Sequence, residues 1–253
     1  MTKEHAYDDI AEHYRESKWL LFRHYIERYT LFKVLGDLRG RSVLDLACGE
    51  GVYTRQFKRT GAAEVTGVDI SREMIALAEA EERADPLGCR YIQEDAATYV
   101  PDAPFDIVTA VYLFNYARTR EALDRFCQTC FRALRPGGRF VGFNDNVRNP
   151  PRPGVSLAKY GLDRTCRYPP CEGDVIQYRI TNHSGQAFEF ENFYLAPATY
   201  EAAARAAGFD DFRWVDAALE PTERDDPYWD DFLIHAPLTA FSASKPVTSS
   251  GEP

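Results

Sequence analysis

The sequence predicts a doubly wound α/β fold, and three features carry that prediction. A short apolar run containing one acid, residues 43–46, leads into a glycine turn and then into a helical segment that Gly61 ends. Two further apolar runs follow, and an acidic residue lies at or just beyond the end of each of these three strands. Helical segments separate the strands, which indicates parallel strands whose carboxyl ends share one edge of a sheet.

Length and composition limit the classes of protein to which the chain can belong. Its 253 residues suit one α/β domain, and 45% hydrophobic with 27% charged residues is typical of globular proteins. The net charge of −9 argues against a nucleic-acid substrate, because phosphate backbones need a basic surface. No apolar run approaches the roughly 18 residues of a membrane span. The first residues lack the apolar stretch of a signal peptide, so a cytoplasmic location is expected.

The cysteine spacing favours buried, reduced thiols over a metal site. Cys166, Cys171 and His183 form the one combination that could be arranged as a zinc site, and they lack a second cysteine pair at ligand spacing. We therefore expect no metal. The six cysteines are Cys48, Cys89, Cys127, Cys130, Cys166 and Cys171.

The glycine turn, VLDLACGEG at residues 43–51, is the most informative motif. A dinucleotide site would place a third glycine where this chain has Thr54, so a pyrophosphate would be held less well. Asp45 precedes Gly49 by four residues and is placed to receive an ammonium group directly or through water. S-adenosylmethionine carries an ammonium group and no phosphate, which makes it the better candidate ligand.

The second strand, residues 64–69, ends in an acid about 20 residues beyond the glycine turn. At this place in an α/β nucleotide site, a carboxylate accepts hydrogen bonds from the two ribose hydroxyls, and we assign that role to Asp69. Ser71 is expected to cap the following helix. Met74 and Ile70 would form an apolar floor under an adenine ring.

The third strand, near residues 89–93, is followed by Asp95 and Ala96. A carboxylate beside a backbone N–H can bond the adenine amino group and a ring nitrogen, which together specify adenine. Asp45, Asp69 and Asp95 therefore lie at neighbouring strand ends. Three carboxylates at one edge would repel a phosphate, and this further disfavours NAD or ATP.

These motifs resemble those of the class I S-adenosylmethionine-dependent methyltransferases, and LRPGG at residues 134–138 resembles the helix-to-strand turn of that family. The resemblance implies a Rossmann-like, seven-stranded methyltransferase sheet. It also implies an N-terminal segment that covers the cofactor, where Tyr7, Asp8 and Tyr14 match the family's opening pattern. The candidate cofactor-binding residues are Tyr14, Asp45, Ala47, Gly49, Gly51, Asp69, Ile70, Met74, Asp95, Ala96 and Tyr112.

The remaining pattern predicts a single methyltransferase domain over residues 1–245. It consists of a helical cap (1–39), a cofactor-binding core (40–145) and a substrate-covering insertion (146–195) that contains a β-hairpin; residues 246–253 form a disordered tail. Further predicted elements are a helix over 7–35, strands at 105–112 and 139–143, a helix over 120–135, hairpin strands at 175–180 and 187–194, a helix near 199–207, and strands at 212–215 and 238–244.

Methyl transfer is an in-line displacement, so the enzyme must hold a nucleophile about 3 Å from the methyl carbon. No histidine, lysine or carboxylate directly follows the fourth strand, which favours an acceptor that needs no strong base, such as a ring nitrogen. Aromatic residues expected near the open end of the sheet suit a small planar acceptor. The candidate acceptor-binding residues are Tyr7, Trp19, Tyr112, Asn115, Tyr116, Tyr178 and Trp229.

A narrower resemblance concerns the acceptor. Short stretches at residues 113–117, 157–161, 206–209 and 229–230 are similar to the N-methyltransferases of toxoflavin (azapteridine) biosynthesis. This implies methylation of a ring nitrogen in a bicyclic heteroaromatic secondary metabolite. O- or C-methylation of another small metabolite, and S-adenosylmethionine binding without catalysis, are the alternatives.

Overall fold

The computed structural model describes residues 20–182 and 184–247. Three candidate site residues, Tyr7, Tyr14 and Trp19, lie outside the described residues, as do residues 1–19 of the predicted N-terminal cap. His183 of the alternative zinc site and residues 248–253 of the predicted tail also lie outside them.

A seven-stranded sheet forms the centre of the described chain, in the order β3-β2-β1-β4-β5-β10-β9. All neighbouring strands are parallel except β10, which runs antiparallel to both β5 and β9. A separate three-stranded antiparallel sheet has the order β6-β7-β8. The strands are β1 (Ser42–Leu46), β2 (Glu64–Asp69), β3 (Arg90–Gln93), β4 (Phe105–Val111), β5 (Leu134–Asp145), β6 (Leu162–Thr165), β7 (Val175–Thr181), β8 (Ala187–Phe193), β9 (Asp210–Asp216) and β10 (Leu238–Ser244).

The helices cover both faces of the main sheet, as parallel strands require. Side chains of β1 alternate between two apolar layers, with Leu44 in the layer that contains Leu123 and Val43 in the layer that contains Leu31. No helix in the described ranges is long and apolar enough to span a bilayer. The helices are α1 (Tyr29–Leu35), α2 (Val52–Arg59), α3 (Arg72–Ala84), α4 (Arg120–Ala133), α5 (Pro197–Ala207) and α6 (Asp230–His235).

The N-terminal helical segment departs from regular α-helix. Residues Arg23–Arg28, directly before α1, form a π-helical stretch that contains the buried side chains Ile26 and Glu27. Hydrophobic spacing predicted a helix here but could not reveal the wider turn. π-Helical turns are rare and are frequent at functional sites.

The structure extends the predicted later strands in two places. The Pro136–Gly138 stretch was expected to lie in a turn before the fifth strand, but β5 already begins at Leu134, which pairs with Phe105 of β4 across a register shift. The predicted hairpin also has a third strand, β6, paired with β7. Four residues are too few to show a strand period in a segment rich in proline and glycine.

The start of β1 is tied to β4 by one carboxylate. Asp106 accepts hydrogen bonds from the backbone N–H and the hydroxyl of Ser42, at 2.8 and 3.0 Å, and pairs with Arg135. Partial burial raises the pKa of Asp106, but the Ser42 hydrogen bonds and the Arg135 charge outweigh it, so the pKa lies below its ordinary value of 3.8. This contact fixes the start of β1 against the start of β4.

Candidate active site

The turn after β1 has three residues in left-handed conformation. Ala47, Gly49 and Gly51 have φ values of 59°, 55° and 79°, and a non-glycine residue in that region is uncommon. A Cβ on Gly51 would lie 2.5 Å from the Tyr91 hydroxyl, so this glycine is required by close packing. A Cβ on Gly49 would meet nothing within 4 Å. The backbone at Gly49 is therefore open to the approach of a ligand.

Asp45 lies beneath this turn. Its two carboxylate oxygens accept hydrogen bonds from the hydroxyls of Thr54, at 2.7 Å, and Thr109, at 2.9 Å. Asp45 is only 1% exposed. Its two hydrogen bonds hold α2 and β4 against the turn. Both oxygens already accept hydrogen bonds, so the contact of Asp45 with an ammonium group stays a prediction.

Asp69 connects the end of β2 to the glycine turn. Its carboxylate accepts hydrogen bonds from the backbone N–H of Gly49, at 2.8 Å, and of Ser71, at 2.9 Å. Ser71 caps α3, as predicted, by accepting from the N–H of Met74 at 3.2 Å. The carboxylate assigned to the ribose hydroxyls thus lies beside the open face of Gly49, and the half-buried Ile70 and buried Met74 follow it.

Asp95 and Ala96 lie just beyond β3. Asp95 is exposed and accepts a hydrogen bond from the N–H of Ala97 at 2.8 Å, while Ala96 is buried. Within the described ranges no group accepts from the Ala96 N–H. The acceptor and donor expected for an adenine edge are therefore adjacent. The glycine turn, Asp69 and this pair follow adjacent strands, in the order β1, β2 and β3.

A cavity lies between the end of β4 and the small sheet. Four of the predicted acceptor-binding residues line it: Tyr112, Asn115, Tyr116 and Tyr178. Its volume is about 30 Å³, room for about two water molecules. An aromatic acceptor therefore requires the walls of this cavity to move apart.

Trp229, another of the predicted acceptor residues, does not line this cavity. It is 1% exposed and stacks on Tyr160 at 5.6 Å between ring centroids, with Phe232 at 6.2 Å. Trp229 is therefore a core residue, which packs against Tyr160 just before β6. Sequence alone does not separate a core aromatic from one at a cavity.

A buried glutamate connects the N-terminal segment to both parts of the site. Glu27 accepts hydrogen bonds from the hydroxyls of Tyr53, at 2.7 Å, and Tyr112, and pairs with Arg23 at 3.1 Å. Tyr53 lies on α2, directly after the glycine turn, and Tyr112 directly follows β4. Burial, together with the Glu27 charge, raises the pKa of Tyr112 well above 10, so its phenol stays protonated.

Tyr112 is itself held in an unusual conformation. Its φ is 64°, and its N–H donates to the carbonyl of Phe143 at 2.7 Å. A bulky residue in the left-handed region is strained and persists only where its surroundings fix it. The Glu27 contact supplies part of that constraint at the end of β4, where cofactor and acceptor would meet.

Asp145 organises the opposite wall. This carboxylate, 1% exposed, accepts hydrogen bonds from Arg164 of β6 and from the Tyr178 hydroxyl of β7. Burial, then the Asp145 charge, raises the pKa of Tyr178 well above 10. Asp145 ends β5, so the small sheet is fastened to the main sheet at the edge that carries the site.

Sequence reasoning missed Glu27, Arg23, Asp145 and Asn192. The rule that singled out acids at the ends of the first three strands also applies to Asp145 at the end of β5, so that residue could have been found. Glu27 has no such signal, because its three partners come from α2, the end of β4 and its own helix. Arg23 and Asn192 line the same cavity as Tyr112 and Tyr178 without any local motif.

The zinc alternative gains no support. Cys171 is exposed and accepts a contact from Arg167 at 3.1 Å, whereas Cys166 is half-buried. In the described ranges no cluster of three or more histidine, cysteine, aspartate or glutamate side chains could hold a metal ion.

Comparisons with known proteins agree with this geometry. A sequence profile of the methyltransferase domain matches residues 43–138. The chain is 33% identical over 177 residues to a demethylmenaquinone methyltransferase of Thermus thermophilus, covering 67% of this chain and 74% of that protein. The chain belongs to the class I S-adenosylmethionine-dependent methyltransferases.

This methyltransferase is also similar to a second relative and to a solved structure. It is 31% identical to a ubiquinone biosynthesis O-methyltransferase of Pseudomonas fluorescens, over 45% of this chain and 48% of that protein. A solved structure of an S-adenosylmethionine-dependent methyltransferase from Mesorhizobium loti superposes with a TM-score of 0.62 at 20% identity, covering 90% of this chain and 98% of the other. This confirms the predicted seven-stranded fold. The enzyme class and its cofactor, S-adenosylmethionine, are confirmed as well.

Proposed function

We propose that this methyltransferase acts on a small planar acceptor, at a ring nitrogen of a heteroaromatic metabolite. One observation carries the proposal. The acceptor cavity is lined by aromatic rings, including Tyr112, Tyr116, Tyr178 and Phe190, and its described lining holds no histidine, lysine or carboxylate. Such a cavity aligns a flat ring and offers no general base.

The residues around the glycine turn fit the cofactor. The open backbone at Gly49 admits the nucleoside, and Asp69 beside it would bind the ribose hydroxyls. Asp95 with the Ala96 N–H would bind the adenine edge, above Ile70 and Met74. Bound there, S-adenosylmethionine supplies an electrophilic methyl group on a positively charged sulfur.

The chain's own contribution to the reaction is positioning and exclusion of water. The aromatic walls would hold the ring so that its nitrogen points toward the end of β4. The phenols of Tyr112 and Tyr178 keep their protons, because their pKa values lie well above 10 and both hydroxyls donate to buried carboxylates. Neither can serve as the base that an alcohol or catechol acceptor would need.

Entry of the acceptor requires the cavity to widen. Phe22 and Arg23 form part of its lining, and both belong to the N-terminal segment that precedes α1. We propose that this segment moves outward to admit the acceptor and returns over it, which would exclude water during transfer.

O- or C-methylation is the second candidate, because the relatives named above are a demethylmenaquinone methyltransferase and a ubiquinone biosynthesis O-methyltransferase. A panel assay with labelled S-adenosylmethionine separates the two. We expect transfer to an azapteridine of the toxoflavin type at a ring nitrogen, with kcat/KM nearly constant from roughly pH 6 to 9. Methylation of catechols or quinols alone would refute the nitrogen assignment. Binding of S-adenosylhomocysteine by calorimetry, without turnover of any acceptor, would instead indicate a binding protein.

A further inference from the structure

Two buried side-chain amides lie in the lining of the acceptor cavity. Asn115 follows β4 and Asn192 is on β8, and they are 2% and 3% exposed. Buried polar atoms are nearly always hydrogen-bonded, so each exception needs an explanation. Here the Nδ2 of Asn115 and the Oδ1 of Asn192 both lack a partner among the described residues.

The orientation of Asn115 is set by its other atom. Its Oδ1 accepts a hydrogen bond from the backbone N–H of Asp145 at 3.2 Å. A flipped amide would turn its NH₂ group toward that N–H, so the oxygen must occupy this place. The NH₂ group is consequently the end left for the cavity, as a pure hydrogen-bond donor.

Asn192 interrupts an apolar pattern. Side chains of a strand alternate between its faces, and Phe188, Phe190 and Asn192 share the more buried face of β8, from which the last two line the cavity. The first two are aromatic, and the third is an amide whose carbonyl oxygen has no partner in the described part of the chain. Packing alone would favour an apolar residue at this position.

Two of the three phenols that line the cavity are committed elsewhere. The Tyr112 hydroxyl donates to Glu27 and the Tyr178 hydroxyl donates to Asp145. The two amides, by contrast, each keep one buried atom that no described residue pairs. One offers a donor on the β4 side, and the other offers an acceptor on the β8 side.

We propose that the acceptor carries a lactam edge, a ring carbonyl next to a ring N–H. The carbonyl oxygen would accept from Asn115 Nδ2, and the N–H would donate to Asn192 Oδ1. The aromatic side chains would cover the faces of the same ring. This rests on the proposed function, since it takes the cavity as the acceptor site.

The test compares quinazolin-4-one, which has the lactam edge, with quinazoline, which lacks it. Calorimetry on enzyme loaded with S-adenosylhomocysteine measures the Kd of each. We expect the native protein to bind quinazolin-4-one at least tenfold more tightly, and Asn192→Leu and Asn115→Ala each to remove most of that preference. Quinazoline should bind all three proteins with similar Kd.

Asn144 provides a matched control. It is a fully buried asparagine of β5, and it does not line the cavity. Asn144→Leu should leave the lactam preference unchanged. A melting curve identifies any variant that fails to fold. If Asn115→Ala does not fold, Asn192→Leu, on the smaller sheet, still tests the inference.

Two results separate the failure of this inference from that of the proposed function. If planar rings bind without a lactam preference, or if the preference survives in the folded variants, the assignment of the amides is wrong while the planar acceptor stands. If neither ring binds although S-adenosylhomocysteine does, the planar acceptor itself is wrong and the lactam edge falls with it.

Discussion

Replacing Glu27 with leucine tests whether the N-terminal segment is held to the site by one buried charge. The side chain of Glu27 is 2% exposed and that of Arg23 is 10% exposed. Leucine has a similar size but accepts no hydrogen bond. The variant leaves the Arg23 guanidinium and the hydroxyls of Tyr53 and Tyr112 without their carboxylate.

The expected loss is large for a single substitution. Removing one partner of a buried ion pair costs about 3–5 kcal/mol, because the other charge stays buried. For a domain of this size, each kcal/mol lowers Tm by about 2–4 °C. We therefore expect Glu27→Leu to melt roughly 10 °C below the native protein and to lose most of its methyl transfer, since Tyr112 loses its constraint.

Thermal and urea unfolding measure the effect, and Glu79 supplies the matched control. Glu79 also pairs with an arginine four residues away, Arg83, but their side chains are 50% and 70% exposed. Exposed pairs contribute about 0–1 kcal/mol, so Glu79→Leu should change stability little. Equal losses in the two variants would refute the reasoning.

A double-mutant cycle isolates the hydroxyl of Tyr112. Alone, Tyr112→Phe should cost about 1.5–3 kcal/mol, the range for a hydrogen bond to a charged group. In the Glu27→Leu background the same change should cost far less, because its acceptor has already been removed. Additive costs would show that the contact carries no stability.

The remaining predictions concern the turn, the pH dependence of stability and a thiol. Gly49→Ala should fold with a loss of about 1–2 kcal/mol from its left-handed backbone and weaken S-adenosylhomocysteine binding measured by calorimetry. Gly51→Ala should destabilise more, because its Cβ would lie 2.5 Å from the Tyr91 hydroxyl; the reverse order would contradict the assignment of the open face. The folded-state pKa of Asp106 lies below 3.8, so its contribution is complete above about pH 4 and is lost as the pH falls through the folded-state pKa. The Asp106→Asn variant should lack this loss of stability at low pH. If the variant and the native protein lose stability equally as the pH falls, the contribution of Asp106 is excluded. Cys171 is exposed, so Cys171→Ser should remove the fastest-reacting thiol in a labelling time course. If the fast phase persists in the variant, the fastest-reacting thiol belongs to another cysteine.

The cofactor half of the site was largely predictable because its signals are local. A strand, a glycine turn and a helix follow one another at residues 43–59, and the geometry of that unit depends on neighbouring residues. Asp69 and Asp95 follow the same rule at later strands, since parallel strands bring their carboxyl ends to one edge. The assignment of individual side chains to ribose or adenine stays a prediction.

The acceptor half was less predictable because its contacts join distant parts of the chain. Tyr112 and Tyr178 were expected near the acceptor and do line one cavity, yet Trp229 satisfied the same compositional argument and lies in the core. The difference is set by packing against Tyr160, which the pattern around residue 229 does not encode.

The sequence by itself determined the order of the elements, the glycine turn and the acids that follow the first three strands. Only the tertiary structure decided which polar groups are buried together, such as Glu27 with Tyr53 and Tyr112. The physical reason is the distance along the chain over which each effect acts. Hydrophobic period and turn chemistry act over a few residues, whereas the pairing of buried charges and amides depends on how the separate elements pack.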